Sequence, residues 1–551
     1  VHVRKLITGR NLLTGTAVAL PALFLPLALP AAGAAPARPD LAKLVTLKAV
    51  REHLAAFQEI ADYNGGNRAA GTPGYGVSVK YVVGRLRKAG LTAKVQKFSY
   101  PYWEEKSRSA FARTAPSRKS YEREKDFLTF VYSGAGDVTA AAAAVDYPAK
   151  GEGTSGCEKS DFRGFAKGTI AIVQRGTCTF AVKAARARAA GASALLVANK
   201  PGEKGPVNGT VSKPVAIPVI GVTHELGASL AKAAEGARHG KKSAKGAKGT
   251  KGTKGAKGAK GAKGSKGGKK RAREARAGLR LRVKTDTVHG KRSSANVIAD
   301  TEHGDPDNVV VAGAHLDSVP DGAGINDNGS GAAALLAIAE EIKELGAKGL
   351  RNRVRFAWWG AEEEGLRGSE HYVKSLRASE REKIALNLNF DMLGSRNGVR
   401  ALYDGDGSTG AGTRPPAGSG AIEKMFRDYF KSRRLPTTES AFDGRSDYGP
   451  FIERGIPAGG IATGAEGIKT AAEAKMFGGR AGKAYDPCYH ARCDRLKNVN
   501  LKLLDSNTDG VAHVLQHLAR TTVAVNGGAR LALRVRPSVR EPVWQGPYQV
   551  R

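Results

Sequence analysis

The second half of the chain alternates short apolar runs with segments of helical character. NVVVAGAH, RVRFAWWG, ALNLNFD and GIPAGGIAT are short and apolar enough to be buried strands. SGAAALLAIAEEIKELG, between the first two, predicts a helix ending at Gly346. Alternation of this kind from residue 294 onward predicts an α/β fold, a mixed and largely parallel sheet sandwiched by helices.

Three of these runs end on side chains able to bind metal: NVVVAGAH on His315, RVRFAWWGAEE on Glu362 and Glu363, and ALNLNFD on Asp391. In open α/β sheets, sites form at the carboxyl ends of strands, so these residues should converge on one edge. Asp327, just before the helix that starts near Ser330, belongs on the same side. One acid at a strand end is commonly a solvated group or a helix cap; three strand ends agreeing points to a site. A further histidine, His490, stands beside Tyr489 in PCYHARCD, where Cys488 and Cys493 would close a small rigid loop.

His315, Asp327, Glu363, Asp391 and His490 supply two imidazoles and three carboxylates, a nitrogen and oxygen set suited to zinc. Five donors exceed a four-coordinate structural site. They suit two zinc ions about 3.5–4 Å apart that share one carboxylate, with a water or hydroxide between them. Glu362, left over beside a ligand, is placed to take the proton of that water. The charge pattern agrees. Residues 293–342 carry nine acids and no Lys or Arg, in a chain of formal net charge +37.

Residues 1–34 have basic residues, an apolar run and an Ala32-Gly33-Ala34 pattern, read as a cleaved secretory signal; three prolines in the run argue against an uncleaved anchor. No later segment is long and apolar enough to span a bilayer, so the mature protein is expected to be secreted and extracellular. In that compartment the four cysteines read as two local disulfides, Cys157 with Cys178 and Cys488 with Cys493. Residues 41–62 predict a helix, a glycine-rich loop follows, and a second helix runs from about Tyr75 to Ala89, then a strand LTAKVQKFSY. Residues 128–222 hold five β-like runs, FLTFVYSG, VDYPA, GTIAIVQRG, SALLVANK and VAIPVIGV, with one helix near Phe180 to Ala190, a small module of its own. Between 236 and 273, glycine recurs at every third position from Gly246 to Gly267 among fifteen Lys and Arg and no acid. Without proline this is no collagen helix but an extended loop, read either as a tolerated repeat or as a tract for anionic polymers. The last 25 or so residues read as a basic tail.

The motifs GAHLDS, GINDNGSG, FAWWGAEE, NFDMLGS, GRSDYGPF and CYHARCD, in this order and spacing, resemble those of the secreted di-zinc aminopeptidases of peptidase family M28. The resemblance covers about residues 40–100 and 294–520. It implies that Asp327 bridges the metals, that His315 and Asp391 complete one zinc site, and that Glu363 and His490 complete the other. Glu362 would be the general base, Tyr489 a donor to the tetrahedral oxyanion, Arg445 a substrate contact, and Asp317 an acid that orients a ligand. Tyr448 stands where many members have His, which leaves the ligand set intact. Residues 155–200 resemble a protease-associated (PA) domain, including its local cysteine pair, and imply a lid or recognition role. The implied organisation is a catalytic domain in two parts, 38–110 and 291–525, around a PA domain at 111–290 that residues 236–273 interrupt, with a tail at 526–551. Asp505 and Asp509, four apart, resemble a pair that some relatives use with an N-terminal acid, here Asp40, for calcium; a solvated helix face reads equally well. The expected activity is removal of N-terminal residues, apolar ones such as leucine, from peptides and proteins with a free N-terminus. The alternatives are a dipeptidase or carboxypeptidase of the same fold, a one-zinc glutaminyl cyclase, and a non-catalytic protein that binds polyanions through the PA domain and basic tract.

Overall fold

Residues 39–148, 154–176, 178–211, 213–246 and 278–527 are described by the structure, a computed structural model. The expected signal segment, most of the Lys-Gly tract and almost all of the basic tail lie outside the described residues.

Among the described residues, fourteen strands form one continuous sheet. In chain order they are β1 (Ala93–Ala115), β2 (Lys119–Tyr121), β3 (Phe127–Thr129), β4 (Gly136–Ala144), β5 (Ile170–Gln174), β6 (Ala194–Ala198) and β7 (Val219–Val222). The second half adds β8 (Arg280–Asp300), β9 (Asp305–His315), β10 (Asn352–Trp359), β11 (Ile384–Asp391), β12 (Ala401–Tyr403), β13 (Thr438–Ser440) and β14 (Ala458–Ala462). β14, β11, β9 and β10 run parallel, and the antiparallel partners β12 and β8 flank them.

Period-two packing sends successive side chains of these strands to opposite layers. In β9, Val310, Ala312 and Ala314 face one core; Val309 and Val311 face the other. The first core packs under helices Leu47–Tyr63, Pro73–Lys88, Gly329–Glu341 and Leu501–Arg520, and the second under Arg367–Ser375. Burial on both faces is why the strand runs read as uninterrupted apolar segments.

β4, β5, β6 and β7 run in a second parallel group, edged by β3 and joined to β8 through β4. Residues of β5 also divide, Ile170 and Ile172 to one core, Ala171 and Val173 to the other. The two strand groups are tied by a long antiparallel ribbon in which β1 pairs with β8 from Ala93 opposite Ala299 to Ala115 opposite Arg280. The junctions at 110/111 and 290/291 therefore fall inside continuous strands.

Several local readings need correction. The first helix breaks at Val45, whose backbone is extended, and restarts after Thr46, whose hydroxyl caps Ala49 N–H at 3.2 Å. VDYPA is not a strand: Ala144 ends β4, and the chain turns at Asp146, which binds Thr154 and Ser155. The helix expected to reach Gly346 ends at Glu341 and tightens into a 3-10 turn, Ile342–Leu345. Helix His224–Gly246 runs into the first residues of the supposed Lys-Gly loop, because the turn packed through Leu230, Ala231 and Ala234 propagates into alanine- and lysine-rich sequence. Among the described residues, no helix is long and apolar enough to cross a membrane.

Candidate active site

The parallel register brings strand ends together. His315 ends β9 opposite Trp359 of β10, so Glu362 and Glu363 follow on the same edge; Asp391 ends β11, the other neighbour of β9. Asp327 arrives from the loop that leads into helix Gly329–Glu341, where Asn328 caps Gly331 N–H and also binds Phe390 O and Met392 N–H. That one side chain fixes the loop of Asp327 against the end of β11.

Asp327 divides its carboxylate between two imidazoles. Its Oδ1 lies 3.3 Å from His315 Nε2 and its Oδ2 3.2 Å from His490 Nε2. Beyond them, Asp391 Oδ1 is 3.3 Å from His315 Nε2, and Glu363 Oε2 is 3.0 Å from His490 Nε2. The five residues grouped from the sequence are thus brought together, with Glu362 Oε2 3.9 Å from His315 Nε2. Ala361, Met392 and His490 itself have φ of 57°, 61° and 55°, a left-handed backbone uncommon for residues other than glycine.

The donor set fits metal ions. His315 Nε2, Asp391 Oδ1 and Glu363 Oε1 are buried without a hydrogen-bond partner among the described residues, a state that is costly unless something binds them. Charge tells the same story. Burial opposes the charge of Asp327, yet hydrogen bonds from His315 and His490 hold it well below the usual carboxylate range. Burial also opposes a charged His490, but Glu363 and Asp327 push it up to about 11. With only two imidazoles to serve them, burial drives Glu362 well above its ordinary range and Glu363 and Glu364 up to about 7.

Asp317 is fully buried and acts at two points. Its carbonyl meets His315 Nδ1 at 3.1 Å, and its carboxylate accepts the N–H groups of Glu362 and Glu363 at 3.2 and 3.3 Å. Tyr489 stacks on His490 with ring centroids 3.8 Å apart. Both stand in the short loop that the Cys488–Cys493 bond closes; Cys157 and Cys178 are bonded as well. Arg445, braced by Glu466 at 3.0 Å, lines a cavity of about 280 Å³ with Asp327, Glu362, Met392, Tyr403 and Tyr489. Tyr448 is buried with its hydroxyl turned to the loop at Asp443 and Gly444 and no ligand displaced.

Asp505 and Asp509 lie on helix Leu501–Arg520, and burial first, then Asp505, pushes Asp509 up to about 6, with Asp40 adding to the repulsion. Sequence reasoning overlooked Asp494 and Arg68. Asp494 holds the N–H groups of Asn326 and Asp327. Arg68 is fully buried against the carbonyls of Leu316, Ala323 and Gly324. Asp494 stood in CYHARCD beside the named residues; Arg68 sits in a glycine-rich loop whose composition carries no hint of it.

Residues 296–515 match peptidase family M28, and residues 138–230 match the PA domain. An aminopeptidase of Pseudomonas aeruginosa is 42% identical over 485 residues, 87% of this chain and 82% of its own. A probable lipoprotein aminopeptidase, LpqL, of Mycobacterium tuberculosis is 36% identical over 519 residues, 90% of each chain. A probable leucine aminopeptidase 2 of Aspergillus fumigatus is 38% identical over 455 residues, 83% of this chain and 80% of its own. Among solved structures, an aminopeptidase from Aneurinibacillus sp. strain AM-1 shares the fold with a TM-score of 0.61 and 23% identity, covering 86% of this chain and 94% of its own. The zinc aminopeptidase BSAP of Bacillus subtilis does so at 0.52 and 22%, covering 86% and 95%. By sequence and by fold, this chain belongs to peptidase family M28, among the aminopeptidases that carry a PA domain.

Proposed function

We propose that the chain is an exported aminopeptidase that releases N-terminal residues, apolar ones such as leucine, with two zinc ions at the strand-end cluster. The observation that carries this reading is the divided carboxylate of Asp327, one oxygen toward His315 and Asp391, the other toward His490 and Glu363. His315, Asp327 and Asp391 would hold one ion, and Asp327, Glu363 and His490 the other. When bound, such ions polarise the scissile carbonyl and make the attacking water more acidic.

The remaining steps belong to side chains. Glu362, whose carboxylate accepts no hydrogen bond among the described residues, takes the proton of the water and returns it to the leaving amine. Tyr489 stays a phenol, since burial first, then Asp327 and Glu363, push it well above its ordinary range; its hydroxyl donates to the tetrahedral oxyanion. Met392, Tyr403, Ala462 and Tyr485 give the cavity an apolar wall for the first side chain, and Arg445 contacts the substrate. Acids around the cluster attract the free amino group. The two disulfides support export to an oxidising compartment. A calcium ion is proposed where Asp505 and Asp40 both act on Asp509.

Leucine, lysine and aspartate p-nitroanilides, each free and N-acetylated, test the reading. The free leucine compound should be cleaved fastest, the acetylated ones hardly at all, and chelation should abolish turnover until zinc is returned at two ions per chain. Cleavage of blocked and free compounds at equal rates, or turnover indifferent to chelator, would sink it.

A further inference from the structure

Two cavities meet at Glu363. The first, of about 280 Å³, holds the donor cluster and the apolar wall. The second, of about 620 Å³, opens on the other side of Glu363 and lies between the two strand groups. Its catalytic-side wall includes Asp321, Glu364 and Arg367; its far wall includes Thr129 and Asn208 of the inserted module; Glu104 and Arg292 of the β1–β8 ribbon close one side. A substrate whose first residue fills the first cavity has its scissile bond at the cluster, and the chain beyond that bond must leave by another route. The second cavity offers one.

The charges along that route are unequal. Each cation already has an acid: Arg123 with Glu105 at 3.0 Å, Arg292 with Glu104 at 3.5 Å, and Arg367 with Glu370 at 3.7 Å. Arg292 is further held flat over the ring of Tyr102, 3.2 Å from its centroid. The carboxylates of Glu364 and Asp321 line the cavity without a side-chain hydrogen bond or ion pair among the described residues; Glu364 gives only its main-chain carbonyl to Arg367 Nε, and Arg292 and Arg367 attract its carboxylate from farther off. Setting aside the donor cluster, the cavity wall thus carries more carboxylates (Glu104, Glu105, Asp321 and Glu364) than cations (Arg123, Arg292 and Arg367), and each cation is already paired.

We infer that this second cavity binds the residues on the leaving side of the scissile bond, and that Glu364 selects lysine or arginine there. The inference rests on the aminopeptidase reading of the cluster and adds a subsite to which the inserted module contributes a wall. An ion pair formed in a partly enclosed cavity should favour a basic over an acidic side chain by about tenfold in kcat/KM, at the low end of measured coupling between close charges.

The test uses the full zinc-loaded chain at pH 8 with the tripeptides Leu-Lys-Ala and Leu-Glu-Ala, and reads the ratio of leucine release. Binding of the corresponding reduced-amide analogues, measured by calorimetry, gives the same ratio without turnover. The expected wild-type ratio is about ten. It should fall several-fold in Glu364→Gln and in Asn208→Lys, the second of which adds a cation to the wall supplied by the inserted module. A wild-type ratio near one overturns the inference, as does a ratio that Asn208→Lys leaves unchanged. If Glu364→Gln does not fold, Asn208→Lys and the binding ratio decide. Failure to release leucine from either peptide is a different result; it brings down the aminopeptidase reading itself, and this inference with it.

Discussion

Asp494 accepts the main-chain N–H of Asp327 on its Oδ2 at 2.9 Å, while its Oδ1 accepts that of Asn326 at 2.8 Å. Asp494 directly follows Cys493, so the loop that carries His490 also positions the acid His490 faces. Replacing Asp494 with Ala should weaken zinc binding and kcat/KM by about 10- to 100-fold, the usual effect of losing a group that orients a ligand. Asn, which keeps one acceptor oxygen, should recover part of the loss. Zinc titration of the two variants checks this; unchanged affinity in the alanine variant would remove Asp494 from the site.

Glu362→Gln should lower kcat by about two to four decades, the range for loss of a general base, and retain full zinc content. The change removes a proton acceptor without removing a proposed ligand. Metal analysis beside single-turnover kinetics distinguishes the two; loss of zinc together with activity would make Glu362 a ligand instead.

The site was legible because parallel strands end together. Once NVVVAGAH, RVRFAWWG and ALNLNFD are adjacent, His315, Glu362, Glu363 and Asp391 have no other place to go, and pattern alone reveals adjacency of buried strands. The ribbon was not legible for the opposite reason. Past Tyr100, β1 reads PYWEEKSRSAFARTA, where buried Tyr102, Ser109 and Phe111 are scattered among exposed and half-buried positions, and its partner strand lies nearly two hundred residues away. Neither strong alternation nor a local turn marks such a pairing. Asp494 and Arg68 escaped notice because each serves main-chain groups, whose demands leave no trace in the sequence.

Opening the Cys488–Cys493 bond should cost activity more than stability. A ring this small constrains the unfolded chain by only about 2 kcal/mol. In the folded chain the bond holds the backbone of His490, at φ 55°, and the ring of Tyr489 stacked upon it. The double serine variant should unfold a few degrees lower yet lose most of its kcat. A large drop in melting temperature with normal turnover of the folded fraction would reverse that division of roles.

Glu340 gives the fold a pH dependence of its own. Burial opposes its charge, but His53 at 3.5 Å and Arg85 at 2.6 Å hold its pKa down at about 2. A carboxyl held below its unfolded value of roughly 4.3 stabilises the chain above that pH, and the contribution disappears as pH falls toward the folded value. Glu340→Gln should therefore melt below wild type at pH 7, and the gap should close progressively from about pH 4.3 downward. Melting curves that stay equally far apart from pH 7 to pH 3 would show that the ion pairs contribute nothing to stability.

Arg68 joins both ends of the loop between His315 and Asp327. Its guanidinium donates to the carbonyls of Leu316 at one end and of Ala323 and Gly324 at the other, and its cation lies over the ring of Phe57, 4.9 Å from the centroid. Its own N–H binds the hydroxyl of Ser318 in the middle of the loop. Burial lowers it to about 10, still a cation at neutral pH, and the acids that oppose that shift are Asp317, Asp494 and Asp327. It therefore serves as a permanent positive charge behind a site rich in carboxylates. Arg68→Met should leave the carbonyls of Leu316 and Ala323 without a donor, while Gly324 O keeps the N–H of Gly329; with those acids also losing their counter-charge, the cost should be about 3–5 kcal/mol, the range for uncovering buried charge. Arg68→Lys should recover only part of it, because one ammonium cannot span the fork that reaches both ends of the loop. If the loop is what Arg68 secures, zinc affinity should fall along the same series as thermal stability. A methionine variant that melts and binds zinc like wild type would show that the loop holds its shape without the clamp.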